Sequence, residues 1–280
     1  MHESFLRHRR WLFLKAAAGL CVAVIALYAW HEPMDGPNGG TWLGYTLGGV
    51  AAFLVLWMML LGIRKRRYRS SVGTLHGWTS SHVYLGGAAI VIATLHGGFE
   101  FGWNVHTLAY ALMVLVIATG VYGVYAYLHY PTLVTQNLSG DTLESTLLKI
   151  ADLDRRCRRI ALDLPDQANA LVIGATRSAA RQAELGGSLR QRLRGERVRC
   201  PTREATARLM SLGADYTGKQ AAANGQLVSA MTRKSALIDR VRRHLRYRAL
   251  LDVWLYAHVP LSFALLAALI AHVVSVFYFW

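Results

Sequence analysis

Five long apolar segments constrain this chain more than any other feature of its sequence. Each is at least about 20 residues long, the length that an α-helix needs to cross a bilayer. A segment that spans the bilayer must satisfy its backbone N–H and C=O groups internally, as a helix does, because lipid offers no hydrogen-bond partners. Charged residues make up only 17% of the 280 residues, against about 25% in soluble proteins. We predict spans near Trp11–Trp30, Trp42–Ile63, Thr79–Gly98, Val105–Leu128 and Leu250–Phe279.

The distribution of basic residues predicts the orientation of these spans. The formal net charge is +15, and 22 of the 31 Lys and Arg residues lie between positions 131 and 248. The remaining nine precede or open the first span or follow the second, whereas the loops at 31–41 and 98–104 contain none. Basic loops stay on the cytoplasmic side. We therefore expect a multi-pass protein of a bacterial-type inner membrane, with the N-terminus and the 131–248 segment cytoplasmic and the C-terminus outside.

The segments between the spans divide the chain into four parts. Residues 1–40 form an anchor helix and an outer loop, because the first apolar run is long for a signal peptide and no A-x-A site follows it. Residues 41–130 hold spans two to four, and 249–280 hold the fifth. Residues 131–248 form a basic helical insert, whose first helix we expect at Asp141–Leu162, capped by Ser139 or Asp141 with Glu144 as the capping-box partner. The insert contains no GxGxxG or P-loop motif.

Four histidines inside the spans carry the chemistry. His82 and His96 lie in the third span, His258 and His272 in the fifth, and each pair is separated by 14 residues. Fourteen residues advance a helix by nearly four turns and roughly 21 Å, so each helix presents two imidazoles on one face. The two spans run in the same direction. His82 then pairs with His258 at the inner level and His96 with His272 at the outer level.

Two imidazoles at each level favour haem iron over zinc. Zinc prefers four ligands at one level, often with cysteine or carboxylate. Two axial histidines complete a low-spin haem and leave no open position, which suits electron transfer. The sequence has no CxxCH motif, so any haem is bound without covalent links. We expect two haem b groups, with His82 and His258 on the inner iron and His96 and His272 on the outer iron.

The spacing of His82, His96, His258 and His272 resembles that of integral-membrane dihaem b-type cytochromes, namely cytochrome b and the ferric-reductase-like transmembrane proteins. This resemblance covers the spans from about Trp42 to Phe279 and implies a four-helix dihaem core. No nucleotide-binding domain follows the last span, and the Pro-Glu-Trp-type quinol motif of cytochrome b is absent. We therefore expect an electron-transfer subunit of a respiratory oxidoreductase complex. Its partners would be an iron–sulfur, flavin or cytochrome c protein, with a quinone as a further candidate ligand.

Two alternatives remain open at this stage. His106, at the outer end of the fourth span, can ligate the outer haem in place of His96, bond a propionate or face a quinone. The chain as a whole can instead be a non-redox transporter whose histidines relay protons, although such proteins often show internal repeats that this sequence lacks. Nucleic acid is not expected as a partner, because the basic insert has few aromatic residues to stack on bases.

Overall fold

The computed structural model describes residues 5–33, 36, 38–67, 73–138, 140–184, 189–194 and 200–279, and most of these residues are helical. No strand occurs within these ranges. Two short 3₁₀ turns, Phe5–Arg7 and Gly213–Asp215, accompany the α-helices. The α-helices are α1 (His8–Trp30), α2 (Trp42–Arg66), α3 (Leu75–His96), α4 (Val105–Leu138), α5 (Leu143–Ala161), α6 (Asp166–Glu184), α7 (Leu189–Arg194), α8 (Pro201–Leu212) and α9 (Gly218–Phe279).

Four helical segments of the described chain are long and apolar enough to cross a membrane. They are Phe5–Trp30, Trp42–Arg66, Val105–Thr135 and Gly218–Tyr278. Their large apolar side chains are widely exposed, as Val22 (67%) and Phe263 (59%) illustrate, and lipid is the solvent that suits such surfaces. These features are those of an all-α multi-pass membrane protein. The span predicted at Thr79–Gly98 forms helix α3, but it is not among the four, so a fifth span stays a prediction.

The chain divides into two compact units, and the first, Met1–Val124 with Trp254–Trp280, contains the paired histidines. Val55, Met113 and Leu265 form one of its buried clusters and join α2, α4 and α9. A second cluster joins α1, α2 and α3 through residues such as Val24, Leu47 and Ile92. The helices that carry the paired histidines, α3 and α9, therefore each pack into the apolar core of this unit.

Threonine caps fix where the helices nearest the histidines begin. The Thr41 hydroxyl accepts a hydrogen bond from the Gly44 N–H at 3.0 Å at the start of α2. The Thr74 hydroxyl accepts one from the Gly77 N–H at 3.1 Å at the start of α3. Each cap satisfies an N–H that the helix cannot bond internally and contributes about 1 kcal/mol. The Thr74 cap stands at the start of α3, the helix that carries His82 and His96.

The second unit, Tyr125–Val253, has a core of its own. Small and aliphatic side chains from α5, α6, α8, α9 and the loop between α5 and α6 fill it: Cys157, Ala161, Leu164, Ala168, Val172, Ala175, Ala205, Leu209, Leu227, Ala230 and Met231. Lys234 is fully buried and pairs with Asp154, which also accepts a hydrogen bond from the Thr176 hydroxyl at 3.0 Å. This unit therefore folds around both apolar packing and a buried ion pair.

The cap of α5 differs from the sequence prediction. Thr142 is the N-cap, and its hydroxyl accepts a hydrogen bond from the Ser145 N–H at 3.0 Å while Ser145 bonds back to the Thr142 N–H at 3.1 Å. Asp141 instead pairs with Lys149 at 2.7 Å, and Ser139 lies outside the described residues. The prediction of a capping box was therefore right in kind but wrong by one position.

Candidate functional site

The His82 pair, which we define as His82 and His258, joins α3 and α9. The ring centroids of the two imidazoles lie 6.3 Å apart, with the ring planes at 65°. Two imidazoles on opposite sides of one metal ion, each bonded at about 2 Å, place their centroids about 6 Å apart. The structure therefore brings together the two residues that the sequence paired, at a separation that a shared metal ion would require.

The second predicted pair shows nearly the same arrangement. The centroids of His96 and His272 lie 6.1 Å apart, with the ring planes at 70°. Because His96 follows His82 by 14 residues on α3, the two levels are roughly 21 Å apart along the helix. Both predicted pairs are therefore in contact, and each joins the same two helices.

Hydrogen bonds to backbone carbonyls define the protonation of two of these rings. Nδ1 of His82 lies 3.2 Å from the Met58 carbonyl oxygen, and Nδ1 of His96 lies 2.7 Å from that of Gly44. A carbonyl oxygen can only accept, so Nδ1 carries the hydrogen in each bond. In a neutral imidazole this leaves the Nε2 lone pair free to bind a metal, which is the usual arrangement of a ligating histidine.

His258 obtains the same protonation through a threonine. Its Nδ1 lies 2.9 Å from the Thr119 hydroxyl, and that hydroxyl donates its single hydrogen to the Val116 carbonyl at 2.8 Å. Thr119 must therefore accept from His258, so Nδ1 again carries the hydrogen and Nε2 is free. Three of the four predicted ligands are held in the state that metal binding needs.

His106 joins the second pair, so that level holds three histidines. Its ring centroid lies 5.3 Å from that of His96 and 5.0 Å from that of His272. One ligand nitrogen from each of the three lies within 4.8 Å of the others, and this is the one such group found in the described ranges. We call these residues the His96 cluster. The sequence predicts two histidines at each level, too few for zinc, whereas the structure gathers three at this level.

Two glycines make room for the His96 cluster. A Cβ atom on Gly48 of α2 would stand 2.7 Å from Cε1 of His96, and one on Gly97 would stand 2.9 Å from Nε2 of His106. Ordinary contacts begin near 3.4 Å. Only a residue without a side chain permits these approaches. No feature of the sequence indicates that Gly48, on the neighbouring helix, faces His96.

Comparisons with protein-family models, curated proteins and solved structures find no match to this chain. The resemblance to dihaem cytochromes therefore depends on the histidine spacing alone. What the site can hold has to be judged from its own geometry and donor atoms.

The His82 pair fits a haem group. The ring separation and the free Nε2 atoms of His82 and His258 match two axial ligands on one iron. Trp254 packs against His258 with centroids 5.7 Å apart, and its buried indole N–H has no hydrogen-bond acceptor in the described part of the chain. Buried polar groups are normally satisfied, so this donor is available to an acceptor on a bound cofactor.

The His96 cluster fits a haem group only if His106 moves. The His106 centroid is almost equally distant from His96 and His272, and it therefore lies close to the plane midway between them. A macrocycle between those two ligands would occupy this plane on all sides of its iron. The separation of His96 and His272 suits two axial ligands, but His106 occupies space that the macrocycle needs.

The other described histidines contribute to neither group. His129 is exposed, and its Nδ1–H donates to the Tyr125 carbonyl at 2.9 Å. His76 is exposed at the start of α3, and His31 packs edge-on against Trp42 at 5.2 Å.

Proposed function

We propose that this chain is a membrane electron carrier that binds two haem b groups. His82 and His258 would ligate one iron, and His96 and His272 the other. The observation that carries this proposal is the repeated geometry: two histidine pairs on the same two helices, with centroids 6.3 and 6.1 Å apart. A single pair of packed histidines can be explained by polar side chains that join membrane helices. Two matched pairs, in which three of the four rings have an orienting Nδ1 hydrogen bond, are much less expected from packing alone.

The protein residues would hold and orient the irons and close them to other ligands. A bound haem supplies reversible one-electron chemistry, and two axial imidazoles leave it no position for a substrate. The carbonyls of Met58 and Gly44 and the hydroxyl of Thr119 would keep the Nε2 lone pairs of three of the four ligands available to iron, those of His82, His96 and His258. The apolar cores around α2, α3, α4 and α9 would limit the access of water to the pairs, whose four side chains are only partly exposed.

The two levels would form a relay between the membrane faces. Their separation of roughly 21 Å along α3 covers most of the hydrocarbon thickness of about 30 Å. We place the His82 level toward the cytoplasm of a bacterial-type membrane, from the distribution of Lys and Arg. The chain would act as one subunit of a respiratory complex, exchanging electrons with a quinone and with an iron–sulfur, flavin or cytochrome c protein.

The basic second unit would provide the docking surface for such a protein. Residues 131–248 carry a formal charge of +11, from 22 basic and 11 acidic residues. An acidic partner would associate faster and more tightly with such a surface, and salt would weaken the association. Anionic lipid headgroups are the alternative counter-charge.

Haem stoichiometry tests the proposal. We expect the purified full-length chain to give a reduced b-type spectrum with two haems per chain. The His82→Ala variant should lose one haem and keep most of the other. His76→Ala is the matched control, because His76 is an exposed histidine on the same helix, and it should keep both haems.

Two results would reject the proposal. A chain that folds without haem when haem is supplied would favour the proton-relay alternative. Loss of haem in His76→Ala equal to that in His82→Ala would show that the pair has no special role.

A further inference from the structure

The three imidazoles of the His96 cluster surround a common point. Their centroid separations of 5.3, 5.0 and 6.1 Å place each centroid about 3.2 Å from the centre of the triangle. An imidazole bound through Nε2 by a bond of about 2.1 Å places its centroid about 3.2 Å from the metal. The cluster therefore has the dimensions of three imidazoles on one metal ion.

We propose that the His96 cluster binds one divalent transition-metal ion, such as Zn²⁺, and that this ion and a second haem exclude each other. The first part is independent of the proposed function, whereas the exclusion rests on it. Three neutral nitrogen donors suit borderline ions such as Zn²⁺, Ni²⁺ and Cu²⁺ rather than Mg²⁺ or Ca²⁺. Three protein ligands leave a fourth position of the Zn²⁺ tetrahedron open to a small molecule.

The surroundings of the cluster prepare it for an ion. The Gly44 carbonyl orients His96, and the absence of side chains at Gly48 and Gly97 lets His96 and His106 approach. The ligand nitrogens lie within 4.8 Å of one another, whereas three nitrogens on one tetrahedral ion at about 2.1 Å lie about 3.4 Å apart. A bound ion would therefore draw the three nitrogens closer together.

Exclusion follows from the position of His106. A macrocycle between His96 and His272 needs the space midway between them, where His106 lies when the three rings surround an ion. His106 must turn away for the haem and inward for the ion. The His82 pair has no third histidine among the described metal-site groups and should be indifferent to the ion.

Zn²⁺ binding to the full-length chain tests this inference. The chain is purified in detergent without haem, through a tag that contains no histidine, and titrated with Zn²⁺ while bound metal is measured by mass spectrometry. We expect one tightly bound Zn²⁺ per chain. His106→Ala should weaken this site at least about 100-fold, since even outer-shell changes at metal sites cost 10- to 100-fold. His82→Ala, the matched loss of a histidine at the other level, should leave it unchanged.

Haem loading separates this inference from the proposed function. We expect the wild-type chain loaded with two haems to lose the tight Zn²⁺ site. The variants His106→Ala and His106→Gln should keep both haems, and haem binding also shows that these variants fold. Equal Zn²⁺ affinity in wild type and His106→Ala would overturn the metal site. Two haems and tight Zn²⁺ together would overturn the exclusion. A chain that binds Zn²⁺ but no haem would reject the proposed function and leave the metal site intact.

Discussion

Replacing Gly48 by alanine should disturb the His96 cluster and nothing else. The new Cβ would stand 2.7 Å from Cε1, 3.0 Å from Nδ1 and 3.1 Å from Nε2 of His96. Because ordinary contacts begin near 3.4 Å, the ring must retreat by about 0.7 Å. A retreat of that size would stretch the 2.7 Å hydrogen bond to the Gly44 carbonyl beyond the usual limit of about 3.2 Å.

The expected loss follows from the tolerance of metal sites. Ligand distances at such sites hold within about 0.2 Å, so a displacement of about 0.7 Å should weaken Zn²⁺ binding at least about 10-fold. The haem assigned to His96 and His272 should be lost or become high-spin, while that of the His82 pair keeps its spectrum. Zn²⁺ titration of the haem-free chain and optical spectra of the loaded chain measure the two effects.

Gly49→Ala provides the matched control. Gly49 is the next residue on α2, and a Cβ there would meet nothing within 4 Å. Both substitutions remove the conformational freedom of a helical glycine, which should stabilise α2 by up to about 1 kcal/mol. Only Gly48→Ala adds a contact with His96. If the two variants bind Zn²⁺ and haem alike, the close approach of His96 to α2 is not a feature of the folded protein.

Three further predictions concern the second unit and the isolated chain. Asp154→Ala leaves the fully buried Lys234 without its carboxylate partner and should destabilise the second unit by about 3 kcal/mol. Core amides of the second unit should then exchange hydrogen roughly 100-fold faster than in the control variant Asp152→Ala, which changes an exposed carboxylate. Burial raises the pKa of the Cys157 thiol above its ordinary value of 9.0, so iodoacetamide at pH 8 should label this thiol only after unfolding. The contribution of the buried thiol to the free energy of unfolding should be complete below about pH 9 and lost as the pH rises further. NADH should not reduce the purified chain without a partner protein or quinone, because the sequence has no nucleotide-binding motif, and rapid reduction in a stopped-flow experiment would contradict the subunit interpretation.

The sequence predicted those features that depend on helical periodicity. Apolar length indicates the spans, and the spacing of 14 residues indicates which histidines share a face, so the contacts of His82 with His258 and of His96 with His272 could both be predicted. Periodicity acts within one helix, however. It says nothing about how far α4 lies from α3, and for this reason His106 remained one candidate among several until its ring was placed 5.3 Å from His96.

Short-range polar competition explains the features that the sequence did not predict. Several residues near position 141 can cap α5; Thr142 is the cap, and Asp141 pairs with Lys149 instead. Similarly, Thr119 has no distinguishing sequence context, yet its hydroxyl sets the protonation of His258 from another helix. Such choices between partners of similar energy are settled by the tertiary fold, and propensity alone does not resolve them.

The charge near the two levels differs, and this difference should affect the direction of electron transfer. The Met58 carbonyl accepts the hydrogen bond from His82, and Lys65 lies seven residues further along α2, a distance of about 10 Å. The loops at 31–41 and 98–104, next to the His96 level, contain no Lys or Arg. A nearby cation favours the reduced, less positive state of an iron centre. At about 10 Å and a surface-like dielectric, one charge should raise the potential of the His82 centre by a few tens of millivolts, reduced further by solvent because Lys65 is exposed. Lys65→Gln should therefore lower that potential and leave the His96 centre, the internal control in the same redox titration, unchanged. Equal shifts of both centres would mean that the charge acts through the whole protein, and no shift would mean that solvent screens it completely. In either case Lys65 would not raise the reduction potential of the His82 centre relative to that of the His96 centre.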